Sequence, residues 1–207
     1  MSAKITITIP EWLDRICAWP VMVYRKRRYG YTYRRIYLGE GQWTMLDPED
    51  YYLYGDKKWS VSGRDGKFYA IRGIRTGPKE IKLIGLHREI MNAPAGKLVD
   101  HRNRDSLDNR RENLRLATPS QNSYNRQKSK SKTSSRYRGV TFDKRAGKWF
   151  ARIKYQGKTI WLGYFDNEID AAKAYDAAAK KYYGEFAMLN FAGLTAENAE
   201  NAENAEK

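Results

Sequence analysis

The stretch Leu98–Arg126, LVDHRNRDSLDNRRENLRLATPSQNSYNR, decides how the rest of the chain is read. A short apolar strand over Lys97–Val99 ends in Asp100-His101, a loop of Asn, Asp and Arg follows, and a second short strand is expected over Asn113–Ala117. Thr118-Pro119-Ser120-Gln121 then reads as a helix start: Thr as N-cap, Pro at the first helical position, and Gln three residues after the cap to return the bond. Asn122 falls in the first turn of that helix. A hairpin folded onto a helix would bring the Asp100 carboxylate beside the Asn122 amide oxygen, a hard-donor pair suited to a divalent ion. His101 stands next to them as a base. The chemistry that fits is phosphodiester hydrolysis. Mg2+ (or Mn2+) on Asp100 and Asn122 would bind the scissile phosphate and the departing 3′ oxygen, while His101 takes a proton from the attacking water. Asn113 is expected to hold the loop that presents the group orienting His101. Alone, an Asp-His pair is usually a surface turn; it gains meaning from Asn113, the capping box and Asn122 in register.

Charge supports a polyanionic partner. The 207 residues carry a formal net charge of +15 with 39 Lys+Arg, and the excess is greatest over residues 102–158, where 17 basic residues face 4 acidic ones. That is where a phosphate backbone would be held. No apolar run approaches the ~18 residues that span a bilayer, and no basic amphipathic helix is apparent, so a membrane partner is not expected. The alternating polar and apolar start, Met1-Ser2-Ala3-Lys4-Ile5-Thr6, lacks a signal-peptide core. The expected compartment is therefore the cytoplasm, bacterial or of a phage-infected host. A single cysteine, Cys17, can neither close an internal disulfide nor complete a Cys-based zinc site.

Upstream of the central stretch, alternating segments at Arg35–Leu38, Trp59–Ser62, Phe68–Ile71 and Ile81–Ile84 read as small antiparallel sheets. Leu86–Met91 reads as one helical turn, with His87 packing at its start or bordering the site. Residues 127–135, within RQKSKSKTSSR, form a basic linker. Beyond it, strands are expected over Gly139–Phe142, Trp149–Tyr155 and Thr159–Tyr164, with a helix over Glu168–Tyr183 whose Ala171, Ala174, Tyr175, Ala178 and Tyr182 make one buried face. The acidic repeat of residues 192–207 has no core-forming residues and reads as a disordered tail. The fold class is thus α+β: a small antiparallel sheet in residues 35–96, a ββα nuclease module in 97–126, and a three-stranded antiparallel sheet on one helix in 136–191. Residues 1–34 form a basic segment of unassigned role, in which Arg25-Lys26-Arg27-Arg28 could touch backbone phosphate.

Two resemblances sharpen this reading. The run VDH…DNRRENLRL…SQN…NR resembles the HNH nuclease family in its ββα-metal homing-endonuclease form. His101 matches its first histidine, Asn113 its central asparagine, and Asn122 the last position, where several phage and intron-encoded members carry Asn. Asp100 matches the metal-binding residue before the base. The segments around Leu46–Tyr51 and Leu86–Pro94 are similar to the sheet that precedes the motif in such proteins. The resemblance implies a Mg2+ (or Mn2+) cofactor and DNA cleavage or nicking. Residues 136–191 resemble the plant ethylene-response-factor (apetala-two) DNA-binding domain through Tyr137-Arg138-Gly139-Val140, Trp161-Leu162-Gly163-Tyr164-Phe165 and Leu189-Asn190-Phe191. That likeness implies a sheet lying in the major groove, with Arg138, Arg152, Lys154 and Trp161 at or near DNA-facing positions. Arg145, Arg126 and Lys128 are counted with them as DNA-binding. Thr141, Asp143 and Thr159 stand where Arg is usual, so the target sequence cannot be carried over.

The expectation is a site-specific DNA endonuclease or nickase acting on double-stranded DNA as a monomer. The alternatives are a DNA-binding regulator with an inactive nuclease module, and a structure-specific nuclease.

Overall fold

The computed structural model describes residues 10–64, 66–126 and 134–192. The chain divides into two compact units, with the boundary between Leu116 and Ala117.

The first unit opens with a helix that the sequence pattern did not disclose, α1 (Glu11–Tyr29), which buries none of its residues and carries Pro20 inside it. Trp12, Ile16, Trp19 and Val23 recur at helical spacing, but Trp12, Ile16 and Trp19 are exposed instead of facing a core. Gly30, left-handed at φ 81°, ends it by donating to the Lys26 carbonyl. Lys26, Arg27 and Arg28 lie in the last turn, where cations suit the negative end of the helix dipole. Arg34 ties the helix down through Asp14 at 2.9 and 3.1 Å.

A two-stranded ribbon, β1 (Arg34–Gly39) and β2 (Gln42–Leu46), is followed by α2 (Pro48–Tyr54). A three-stranded antiparallel sheet then runs in the order β3 (Ser60–Arg64), β4 (Lys67–Arg75), β5 (Ile81–Gly85) and leads into α3 (Leu86–Ile90). The segments likened above to a preceding sheet are therefore helical at Pro48–Tyr54 and Leu86–Ile90. Pro48 at the first helical position with Glu49 and Asp50 in the first turn accounts for α2. The nuclease hairpin pairs β6 (Leu98–His101) with β7 (Leu114–Ala117), and Asn113 closes a 3-10 turn immediately before β7. Ile36, Leu38, Leu46, Trp59, Ala70, Leu86, Ile90 and Leu114 form one buried cluster, so ribbon, sheet and hairpin share a core.

In the second unit, α4 (Pro119–Tyr124) starts with the expected capping box between Thr118 and Gln121. The sheet has the order β10 (Lys158–Phe165), β9 (Lys148–Tyr155), β8 (Val140–Asp143), all antiparallel, and α5 (Glu168–Tyr183) covers one face. Gln156 and Gly157 both take positive φ, as a two-residue β9–β10 hairpin requires. Ala151 and Ile153 pack down, and Ala171, Ala172 and Ala179 on α5 are fully buried against the sheet side.

Candidate active site and nucleic-acid interface

Strand β6 delivers Asp100 and His101 to its end, both 6% exposed. Asp100 Oδ2 accepts from Arg115 Nε at 2.8 Å and Nη2 at 2.6 Å, a buried ion pair across the hairpin. The sequence reading did not anticipate Arg115, which sits on β7 with the motif's leucines on either side.

His101 Nε2 lies 3.3 Å from Asn109 Oδ1. The orientation of that amide is set by Thr44 on β2. The Thr44 hydroxyl donates to the Leu107 carbonyl at 2.8 Å, so its oxygen is left to accept from Asn109 Nδ2 at 2.7 Å. The amide oxygen must then face the ring, and an amide oxygen only accepts. His101 therefore donates from Nε2, which puts its basic lone pair on Nδ1. Thr44 and Asn109 are fully buried. Burial pushes the His101 pKa below the ordinary histidine value, with the Asn109 bond opposing that shift, so the ring is neutral at neutral pH.

Asn113 organises the loop that carries Asn109. Its Nδ2 donates to the Asp108 carbonyl at 2.7 Å and its Oδ1 accepts from the Asn103 backbone at 2.9 Å. Asp108 in turn accepts from Arg110 at 2.8 and 2.6 Å and from Asn103 Nδ2 at 2.9 Å. Strand β2 holds the same loop by its backbone: Met45 N donates to Leu107 and Asn109 N donates to Met45.

A second imidazole borders His101. The His87 and His101 rings meet edge to face at 5.4 Å, and Tyr69 is within ring contact of both. His87 Nδ1 is buried without a hydrogen-bond partner. Burial first, and His101 second, lower its pKa from 6.5 to about 4. Gly85 makes room for it, because a Cβ there would lie 2.5 Å from His87 Cε1.

Asn122 stands on α4, in the other unit, half-buried. Among the described residues no group of three or more His, Cys, Asp and Glu side chains could hold a metal ion. The donors in question are one carboxylate and one amide. Each is a hard oxygen donor of the kind a Mg2+-like ion takes, such an ion binding through one or two carboxylates and filling its remaining positions with water and substrate phosphate.

On the second unit, alternation sends Phe150, Arg152 and Lys154 to the face of β9 opposite α5, and Trp161 opposes Arg152 on β10. Trp161 is 51% exposed. Arg145 is exposed in the β8–β9 turn and Arg126 is exposed after α4, while Lys128 lies outside the described residues. Arg138 takes a different place from that expected. Its guanidinium donates to the backbone carbonyls of Ser123, Tyr124 and Arg126 at 3.3, 2.8 and 2.5 Å.

Comparison with known proteins covers both units. The HNH endonuclease family profile matches residues 92–124 and the AP2 domain profile matches residues 135–185. An uncharacterized HNH endonuclease of Acanthamoeba polyphaga mimivirus is 32% identical over 149 residues, covering 72% of this chain and 71% of that protein. The AP2-like ethylene-responsive transcription factor TOE2 of Arabidopsis thaliana is 52% identical over 58 residues, 28% of this chain and 12% of that protein. APETALA2-like protein 2 of Oryza sativa subsp. japonica matches at 52% over 58 residues, covering 28% of this chain and 13% of its own length. The chain thus spans only 12–13% of these plant proteins. Among the described residues no helix is long and apolar enough to cross a membrane.

Proposed function

This chain belongs to the HNH endonuclease family and carries an AP2 domain, and from that premise we propose that it is a site-specific DNA endonuclease or nickase whose C-terminal sheet finds the site that its ββα module cuts. The observation that carries the reading is the oriented base: a buried, neutral His101 with its tautomer set by the Thr44–Asn109 chain, one residue from Asp100.

His101 Nδ1 accepts a proton from water, the water oxygen attacks phosphorus, and the bond from phosphorus to the 3′ oxygen breaks. Asn109 keeps the donating nitrogen turned away from the water, and Asn113 keeps Asn109 in place. A divalent ion, Mg2+ or Mn2+, would be held by Asp100 and Asn122 and would supply positive charge at the phosphate and the leaving oxygen. Arg115 holds the Asp100 carboxylate in a fixed direction through two hydrogen bonds to Oδ2. Arg152, Lys154, Trp161, Arg145 and the basic residues around Arg126 and Lys128 engage double-stranded DNA, each neutralised phosphate adding to the salt dependence of binding. The protein acts as a monomer in a cytoplasm that holds its target DNA.

Supercoiled plasmid incubated with Mg2+ or Mn2+ tests this. The wild type converts it to nicked or linear DNA, while His101→Ala binds with similar affinity and leaves it supercoiled. Equal cutting by both removes the base assignment. Tight binding with no metal-dependent cutting by the wild type leaves the regulator reading, which the plant transcription-factor relatives favour.

A further inference from the structure

The outer face of the C-terminal sheet carries an aromatic cluster. The Phe150 and Trp161 rings stack at 4.9 Å and 21°, and Tyr164 packs edge-on against both at 6.2 and 5.1 Å. Trp161 and Tyr164 are three residues apart, and on a regular strand an odd separation puts two side chains on opposite faces. Here the register shifts between Trp161 and Gly163, so that Leu162 drops into the core and both rings emerge on one side. Gly163 at φ 125° permits the bulge. Trp161 and Tyr164 are 51% and 47% exposed. The Tyr164 hydroxyl donates to Asp143 Oδ2 at 2.8 Å, which fixes the ring and engages a carboxylate whose other oxygen accepts from the Arg145 and Ala146 backbone.

Cations surround the cluster. Arg152 lies across from Trp161 with its guanidinium 5.7 Å from the Phe150 ring, and Lys154 is exposed farther along β9. This charge suits duplex DNA, and the apolar centre asks for an apolar feature on the base edges. In the major groove that feature is the thymine C5-methyl, while the other bases offer mainly donors and acceptors. Insertion between bases requires a ring with open faces, but Phe150 and Trp161 already cover one of each other's faces.

We infer that the Phe150–Trp161–Tyr164 cluster reads thymine methyl groups in the major groove, beside a guanine or phosphate contacted by Arg152. The cluster sets the base preference of the chain, an inference that rests on the reading of this sheet as its DNA-binding face.

A pool of random-sequence duplexes, enriched on the full-length protein with metal withheld by EDTA, is amplified once with dTTP and once with dUTP. The two products differ only in the thymine methyls. Each buried methyl accounts for about a fourfold change in affinity, so loss of two or more is expected to weaken binding of the deoxyuridine pool about tenfold or more. Trp161→Ala and Phe150→Ala are expected to bind the two pools alike. Enrichment of a pool that binds equally well with either base overturns the thymine assignment and leaves DNA recognition standing. A deoxyuridine penalty undiminished in both variants overturns it too, by assigning the effect to DNA shape. No enrichment of any sequence removes site-specific recognition itself.

Discussion

Asn109 Oδ1 faces His101 Nε2 at 3.3 Å because Thr44, sixty-five residues earlier, holds the amide's other end at 2.7 Å. This chain of polarity makes the His101 imidazole chemically one-sided. Replacing Asn109 with Ala frees the ring to take the other tautomer and to tilt. Single-turnover cutting by Asn109→Ala is therefore expected to slow by about 10²-fold or more, the scale of a general-base contribution, with DNA affinity unchanged. Thr44→Val, which keeps shape and loses the hydroxyl, should slow it less. Wild-type rates in Asn109→Ala would end the orienting role.

The Asp100–Arg115 pair is buried on both sides, so the two residues separate stability from chemistry. Arg115→Met strands a buried carboxylate and should destabilise the first unit by about 3–5 kcal/mol. Asp100→Asn with Arg115→Met replaces the pair by neutral groups and should recover much of that loss in thermal unfolding. Cutting should stay absent in the double variant, because the carboxylate is gone. A double variant that unfolds as easily as Arg115→Met would show that the pair's charge is not the cause.

The central motif was legible because its residues are local. Asp100, His101, the capping box at Thr118 and the helix over Glu168–Tyr183 all follow from short-range spacing, and they stand where that spacing put them. What could not be read was held by distant partners. Thr44 sits in Gln42–Leu46, a segment with no clean alternation, and a lone buried threonine looks like any surface threonine until the loop above it is known. The Arg115 pairing needs the β6–β7 register, and Pro20 inside α1 reads in sequence as a helix breaker. The Trp161–Tyr164 face depends on a bulge, which shifts alternation without changing composition.

His87 makes the first unit sensitive to acid. Its pKa falls from 6.5 in the unfolded chain to about 4 in the fold, so between those values the unfolded state holds more protons and stability declines as pH drops. The full contribution is present above pH 6.5 and is lost toward pH 4. At about 1.4 kcal/mol per unit, acidifying from pH 6.5 to 5 should cost roughly 2 kcal/mol. His87→Phe keeps a ring against His101 and removes the titration, so its unfolding temperature should fall much less over that range. Parallel declines in both proteins would assign the acid sensitivity elsewhere.

Arg138 offers a test of what its side chain serves. It donates to the Ser123, Tyr124 and Arg126 carbonyls at and just past the end of α4, where a helix runs out of intrahelical donors. A six-residue helix has little stability of its own, and Tyr124 at its end stacks on Tyr183 at 3.8 Å and 9°. Arg138 and Tyr183 together hold α4 against the rest of the second unit. Arg138→Ala is therefore expected to destabilise that unit by about 2 kcal/mol, the scale of hydrogen bonds to a charged group. The salt dependence of DNA binding should hardly change. An unchanged unfolding temperature, with the salt slope reduced by about one, would return Arg138 to the DNA-contact role that the sequence suggested.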